Sequence, residues 1–144
     1  LENVPIKEKA IEEKIKHGKG KILVMDDEEI IRDIAYEMLV NLGYDVVAVE
    51  DGSSAIDQYR RAKESNEPYD LVIMDLTIPG GMGGSEAIKK ILDIDPEAIV
   101  IVSSGYSNDP IMAKYKEYGF KGIIPKPYRI TEVSEILYKL IASG

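Results

Sequence analysis

Four strand-like apolar runs in this chain each hand over to residues that can do chemistry. Leu71-Val72-Ile73-Met74 delivers Asp75 and then breaks into Thr77-Ile78-Pro79-Gly80-Gly81, and Lys21-Ile22-Leu23-Val24-Met25 ends in Asp26-Asp27-Glu28. Ala98-Ile99-Val100-Ile101-Val102 runs into Ser103-Ser104-Gly105, and Gly122-Ile123-Ile124-Pro125 runs into Lys126-Pro127. In open α/β sheets the carboxyl ends of the strands are where ligands bind, so two of these runs can bring several carboxylates to one place. Clustered carboxylates repel unless something positive joins them, which makes a cation the natural occupant of such a site. A single strand-end acid would say little, because capping the following helix is the commoner use of such a residue. The weight lies in the ordered set of acid pair, lone acid, hydroxyl and amine.

The elements that must position these residues alternate along the chain. After the first strand, Ile30, Ile31, Ile34, Ala35, Met38, Leu39 and Leu42 recur at helical spacing, and Asn41 with Gly43 supplies a stop. Asp45-Val46-Val47-Ala48-Val49 reads as a short strand, 52–62 as a helix and 64–68 as a loop before the third strand. Further helices are expected over 84–92, 109–118 and 131–142. Five strand–helix alternations argue for a parallel sheet covered on both faces. Residues 1–19 are rich in Lys and Glu, place Val4, Ile11 and Ile15 on one helical stripe and end at Gly18-Lys19-Gly20, the pattern of a linker or approach helix before a domain over 20–144.

Composition removes whole classes of function. A chain of 144 residues fits one domain with a real core, since that size buries roughly 68–70% of its unfolded surface. Net charge is −8 and no basic stripe is visible, which disfavours direct nucleic-acid binding. The absence of cysteine excludes disulfides, thiolate catalysis and cysteine-ligated metal, and a lone histidine, His17, argues against a histidine triad or a zinc cluster. No apolar run approaches the ~20 residues of a membrane span and no signal-peptide pattern opens the sequence, so a cytoplasmic location without membrane contact is expected.

In order and spacing, the strand-end residues resemble the receiver domain of two-component response regulators, over about residues 20 to 143. The resemblance implies a doubly wound, flavodoxin-like α/β fold: five parallel strands in the order 2-1-3-4-5 with five helices. It also implies roles. Asp75 matches the phosphoacceptor, whose carboxylate attacks phosphorus to give an acyl phosphate. Asp27 matches the direct metal ligand, Asp26 its companion that holds metal-bound waters, and Thr77 contributes a backbone carbonyl to the metal. Ser104, followed by the small Gly105, matches the hydroxyl that hydrogen-bonds a phosphoryl oxygen, its separation from Lys126 suiting the family better than that of Ser103. Strand alternation then turns Ser103 to the other side of the sheet. Lys126 matches the lysine that pairs with the phosphoryl group or, before it arrives, with Asp75.

In that strand order the first and third strands are neighbours, so Asp26, Asp27 and Asp75 converge. At about 4 Å two like charges repel by about 4 kcal/mol at an effective dielectric of about 20, and a divalent cation relieves this. Magnesium is the ion expected, because it takes one or two carboxylates, keeps waters and bridges to phosphate oxygens without histidine or thiolate. An already ionised carboxylate nucleophile needs little general-base help. By resemblance, the isolated domain would catalyse only its own phosphorylation and dephosphorylation, and its partners would be a sensor histidine kinase or a histidine phosphotransfer domain. The Lys126-Pro127 bond is expected to be cis. The expected output and dimer surface is helix four, strand five and helix five, with Tyr115, Tyr118 and Tyr128 clustered near Ile123.

Two positions depart from the family pattern. Ile123 stands three residues before Lys126, where a Tyr or Phe usually serves as a rotating switch. The loop after Asp75 reads Pro79-Gly80-Gly81-Met82-Gly83-Gly84, with glycine where an acidic residue often precedes the last glycine. That loop, with Leu1 opening the sequence and the linker-like first segment, leads to the expectation of a receiver cut from a hybrid sensor histidine kinase; a single-domain or truncated response regulator is the runner-up. Other readings fare worse. A haloacid-dehalogenase-type phosphatase needs a second acid two positions after its nucleophile, where this chain has Thr77, and Gly84-Ser85-Glu86 is not a P-loop. A receiver-like interaction module that takes no phosphate is opposed by the presence of every required side chain.

Overall fold

Five short strands pair in parallel in the order β2-β1-β3-β4-β5. The computed structural model describes residues 14–76, 78–105 and 110–142. The strands are β1 (Lys21–Met25), β2 (Asp45–Val49), β3 (Leu71–Asp75), β4 (Val100–Ser104) and β5 (Gly122–Pro125). Between and after them lie α1 (Glu29–Asn41), α2 (Gly52–Glu64), α3 (Gly84–Ile94), the short α4 (Pro110–Ala113), a 3-10 turn (Tyr115–Tyr118) and α5 (Ile130–Ala142). The central strands are buried on both faces, which is why β3 and β4 are near-continuous apolar runs rather than alternating ones.

Strand alternation splits the core in two. Leu23, Met25, Val72, Met74, Val100 and Val102 pack with Ala55, Ile56 and Tyr59 of α2 and Ala87, Ile88 and Ile91 of α3. On the opposite face Ile22, Val24, Leu71, Ile73, Ile101 and Ile124 pack with Ala35 and Leu39 of α1 and Val133 and Leu137 of α5. In register, Met25 lies beside Met74, Asp75 beside Ser103 and Ser104 beside Pro125. The carboxyl ends of β1, β3, β4 and β5 therefore finish at one level.

Local chemistry sets the helix ends. The Asp51 carboxylate accepts the Ser54 N–H at 2.8 Å and caps α2. After α1, Gly43 takes φ 107°, its N–H donates to Val40 O at 3.0 Å and the Tyr44 N–H to Leu39 O at 3.1 Å. This paired closure needs a left-handed residue, and the carbonyl of Gly18 fills the space a Cβ would take.

Three expectations are corrected. Strand four starts two residues later than its apolar run suggests, because Ala98 still donates to Asp95 O at 3.0 Å in the turn after α3; at its other end Ser103 and Ser104 pair with Ile124 and Pro125 and so end the strand instead of following it. Helix four is not one helix over 109–118: α4 stops at Ala113, Lys114 leaves helical geometry (φ −120°, ψ 32°), and a 3-10 turn follows, closed by Gly119 at φ 99°. Asp109 lies outside the described residues. The tyrosines do not form one cluster, since Tyr115 and Ile123 pack on the α2/α3 face and Tyr128 on the α1/α5 face.

The first 13 residues of the expected linker lie outside the described residues. The segment that follows is tied to the domain: Ile15 packs against the α1/α5 core, Gly18 N–H donates to Leu42 O at 2.9 Å and Asp45 N–H to Gly20 O at 2.8 Å. Among the described residues no helix is long and apolar enough to cross a membrane.

Candidate functional site

Asp26, Asp75 and Ser103 form a row across β1, β3 and β4. Each follows, by two positions, a residue of the α1/α5 core (Val24, Ile73 and Ile101), so alternation gives all three the same face at the end of the sheet. Carboxylate oxygens of Asp26, Asp27 and Asp75 lie within 4.8 Å of one another, with Asp26 and Asp75 buried and Asp27 exposed. An open cleft of about 500 Å³ is lined by Asp27, Glu28, Asp75, Pro79, Ser104, Gly105 and Lys126.

Lys126 reaches over the row. Its Nζ lies 2.6 Å from Asp26 Oδ2 and 3.2 Å from Asp75 Oδ1. The Lys126-Pro127 bond, cis as expected, carries the lysine at a corner after β5 whose backbone N–H donates to Ser104 O at 3.1 Å. Asp26 is fully enclosed; its Oδ1 accepts the Glu28 N–H at 3.0 Å, and its Oδ2 faces the ammonium.

The electrostatics are unbalanced. Burial pushes the Asp75 carboxyl up to about 6; Lys126 pulls it down, while Asp26 and Asp27 raise it again. Burial works against the charged Lys126, but its contacts with Asp26 and Asp75 outweigh this and hold the ammonium above its ordinary range. One lysine thus serves two acids, with Asp27 beside them. The donor set is all oxygen, partly open to solvent, and arranged as a hard divalent cation with retained waters prefers, so these residues fit magnesium.

Sequence reasoning placed Asp26, Asp27, Asp75, Ser104 and Lys126 at strand ends; Asp27, Asp75, Ser104 and Lys126 line this cleft, and Asp26 lies buried behind it in contact with Lys126. Thr77 lies outside the described residues. What the sequence did not flag is Arg32, whose guanidinium donates to the Asp26 carbonyl at 2.8 Å and braces the β1–α1 loop. One turn into a helix, it carries no local signal. Nor was the hydroxyl contact between Ser103 Oγ and Tyr128, at 2.9 Å, foreseeable from spacing. Burial pushes the Tyr128 phenol up to about 12; the Ser103 contact and Lys126 lower it, and Asp26 and Asp75 raise it.

Comparison with known proteins points the same way. A family model described as the response regulator receiver domain matches residues 22–138. The chemotaxis protein CheY of Thermotoga maritima is 32% identical over 121 residues, covering 83% of this chain and 96% of that protein. Sporulation initiation phosphotransferase F of Bacillus subtilis is 31% identical over 121 residues, covering 84% of this chain and 93% of that one. Among solved structures, the receiver domain of a sensor histidine kinase from Pseudomonas aeruginosa, described with magnesium coordinated in its active-site cleft, matches with a TM-score of 0.75. At 24% identity, covering 87% of this chain and 99% of that one, it bears on the fold.

Proposed function

Since the chain belongs to the response regulator receiver domain family, we propose that it is a cytoplasmic phosphoacceptor that takes a phosphoryl group onto Asp75 from a phosphohistidine. The observation that carries this reading is the cleft in which Asp75, Ser104 and Lys126 meet beside a further acid pair. In the step proposed, an Asp75 carboxylate oxygen bonds to phosphorus as the phosphorus–nitrogen bond of the donor breaks, and the electron pair of that bond returns to the imidazole. Lys126 supplies positive charge to the phosphoryl oxygens, and Ser104 offers a hydroxyl donor on the other side of the cleft. The arrangement works by position and charge, as phosphoryl transfer requires.

Asp27 and Asp75 would hold a magnesium ion directly, and Asp26 its waters. When bound, the ion supplies charge neutralisation for the acids and the incoming phosphoryl group. Lys126 already bridges Asp26 and Asp75, which supports a role in answering to the state of the acid row.

The donor would be a sensor histidine kinase or a histidine phosphotransfer domain. The glycine-rich loop after Asp75 favours a parent of the hybrid sensor kinase type, and a kinase core in the same open reading frame would establish it. Output is assigned to the α4–β5–α5 surface, where Tyr118 stands 40% exposed. The test is direct: the chain incubated with acetyl phosphate and magnesium should give a species retarded on a phosphate-sensitive gel and lost on chelation. Full labelling of Asp75→Asn would sink the assignment.

A further inference from the structure

Ser103 and Tyr128 have no part in the chemistry assigned above, yet they stand beside it. Ser103 is Asp75's lateral neighbour across β3 and β4 and is fully buried. Tyr128 follows Lys126 by two residues, and the two hydroxyls lie 2.9 Å apart. The backbone of Lys126 is itself bound to Ser104 O at 3.1 Å. The corner that carries the lysine is therefore fastened at two points to consecutive serines at the end of β4.

We propose that Tyr128 and Ser103 are positioning residues for Lys126: their hydroxyl pair clamps the lysine-bearing corner to β4 at the level of Asp75, fixing where the ammonium sits over the acid row. The proposal rests on the phosphoacceptor reading of Asp75. Three observations support it. Lys126 must span from β5 to acids on β1 and β3, so a small rotation of the corner moves its amine across the whole site. The Tyr128 ring packs beside Ala35, Met38, Leu39, Ile73 and Val133, and such apolar contacts are non-directional, so they do not by themselves fix where its hydroxyl points. On the opposite face Ile123 has no polar group with which to hold the corner. Beside the backbone bond from Lys126 N–H to Ser104 O, the hydroxyl contact is the directional side-chain element at this corner, and a hydrogen bond loses strength steeply with misalignment.

A structural hydroxyl pair would affect stability alone, whereas a clamp on Lys126 affects the reaction through that residue. The full-length chain is assayed with acetyl phosphate at saturating magnesium, following acyl-phosphate formation on Asp75, with magnesium affinity measured by calorimetry. Tyr128→Phe and Ser103→Ala should each slow phosphorylation by about fivefold to tenfold, the worth of one such hydrogen bond, while magnesium affinity stays the same. The double variant should be no slower than the slower single one. In a Lys126→Ala background, Tyr128→Phe should have no further effect. Wild-type rates for both single variants, or undiminished slowing on top of Lys126→Ala, would overturn the clamp. If Lys126→Ala and Asp75→Asn themselves react as wild type, the phosphoacceptor reading fails instead, so the two failures are told apart.

Discussion

Both ends of the sheet gather carboxylates, and they treat them in opposite ways. At the amino end of the strands, Asp95 receives the Tyr59 hydroxyl at 2.8 Å, the Glu97 N–H at 3.1 Å and the Lys63 ammonium at 3.4 Å. Nearby, Asp70 accepts the Lys21 N–H at 2.8 Å, and the Lys21 amine caps Glu67 O at 2.9 Å over the Tyr69 ring. Burial disfavours a charged Asp95, but those donors outweigh it and hold the carboxyl below its ordinary range. At the carboxyl end Asp26 and Asp75 share the Lys126 ammonium with Asp27 close by, and burial pushes Asp75 up to about 6. The amino-end cavity is the larger, about 650 Å³ against about 500 Å³, so size does not mark the functional end. Charge balance separates the two ends instead: Asp95 has its own donors, whereas Asp26, Asp27 and Asp75 lie together with the Lys126 ammonium in contact with two of them.

The sharpest way to break this contrast is Asp75→Asn, which should abolish acyl-phosphate formation from acetyl phosphate on a phosphate-sensitive gel. The same change should leave thermal stability undiminished. A carboxyl whose folded pKa is raised works against the fold once charged, and the amide removes that repulsion. Next, Asp27→Asn should weaken magnesium binding by about tenfold or more in a calorimetric titration. Lys126→Ala should leave labelling detectable but slower, and should erase phosphorylation-dependent chemical-shift changes outside the cleft.

Two smaller effects sharpen the comparison. Gly84→Ala would place a Cβ 2.8 Å from the Asp75 carbonyl and 3.3 Å from Met74 Cβ, so α3 must move away from the strand that carries Asp75. A cost of about 1–3 kcal/mol is expected in urea unfolding. At the amino end, Tyr59→Phe should cost about 1–2 kcal/mol at neutral pH by removing the hydroxyl from a charged acceptor. Because the folded pKa of Asp95 lies below its unfolded value, this network stabilises the protein above the unfolded pKa and is lost as pH falls through the folded one. The difference between wild type and Tyr59→Phe should therefore shrink on acidification, with acyl-phosphate formation at neutral pH unchanged.

The chemistry-bearing residues were legible because each sits where a buried strand ends, and a run such as Leu71–Met74 announces its own termination. Choosing Ser104 over Ser103 followed from the resemblance, and the two-residue shift in β4 left that choice untouched because alternation is preserved. Helix four was misread: 109–118 keeps a helical apolar pattern, but nothing in it shows that Lys114 leaves helical geometry. The split of Tyr115 from Tyr128 was equally hidden, since the corner between them decides which face each ring takes.

By itself, the sequence determined the alternation of strands and helices, the parallel class of the sheet, and which acids, hydroxyl and amine end their strands, because periodicity and strand termination are local properties of the chain. The tertiary structure decided what is close to what. Only the order β2-β1-β3-β4-β5 brings Asp26 beside Asp75. Only packing on the α1/α5 face brings Tyr128 to Ser103, and only the fold gives Asp95 its donors while leaving Asp75 among acids. Electrostatic balance depends on distances between residues far apart in the chain, so the same residue type meets its own donors at one end of the sheet and other acids at the other.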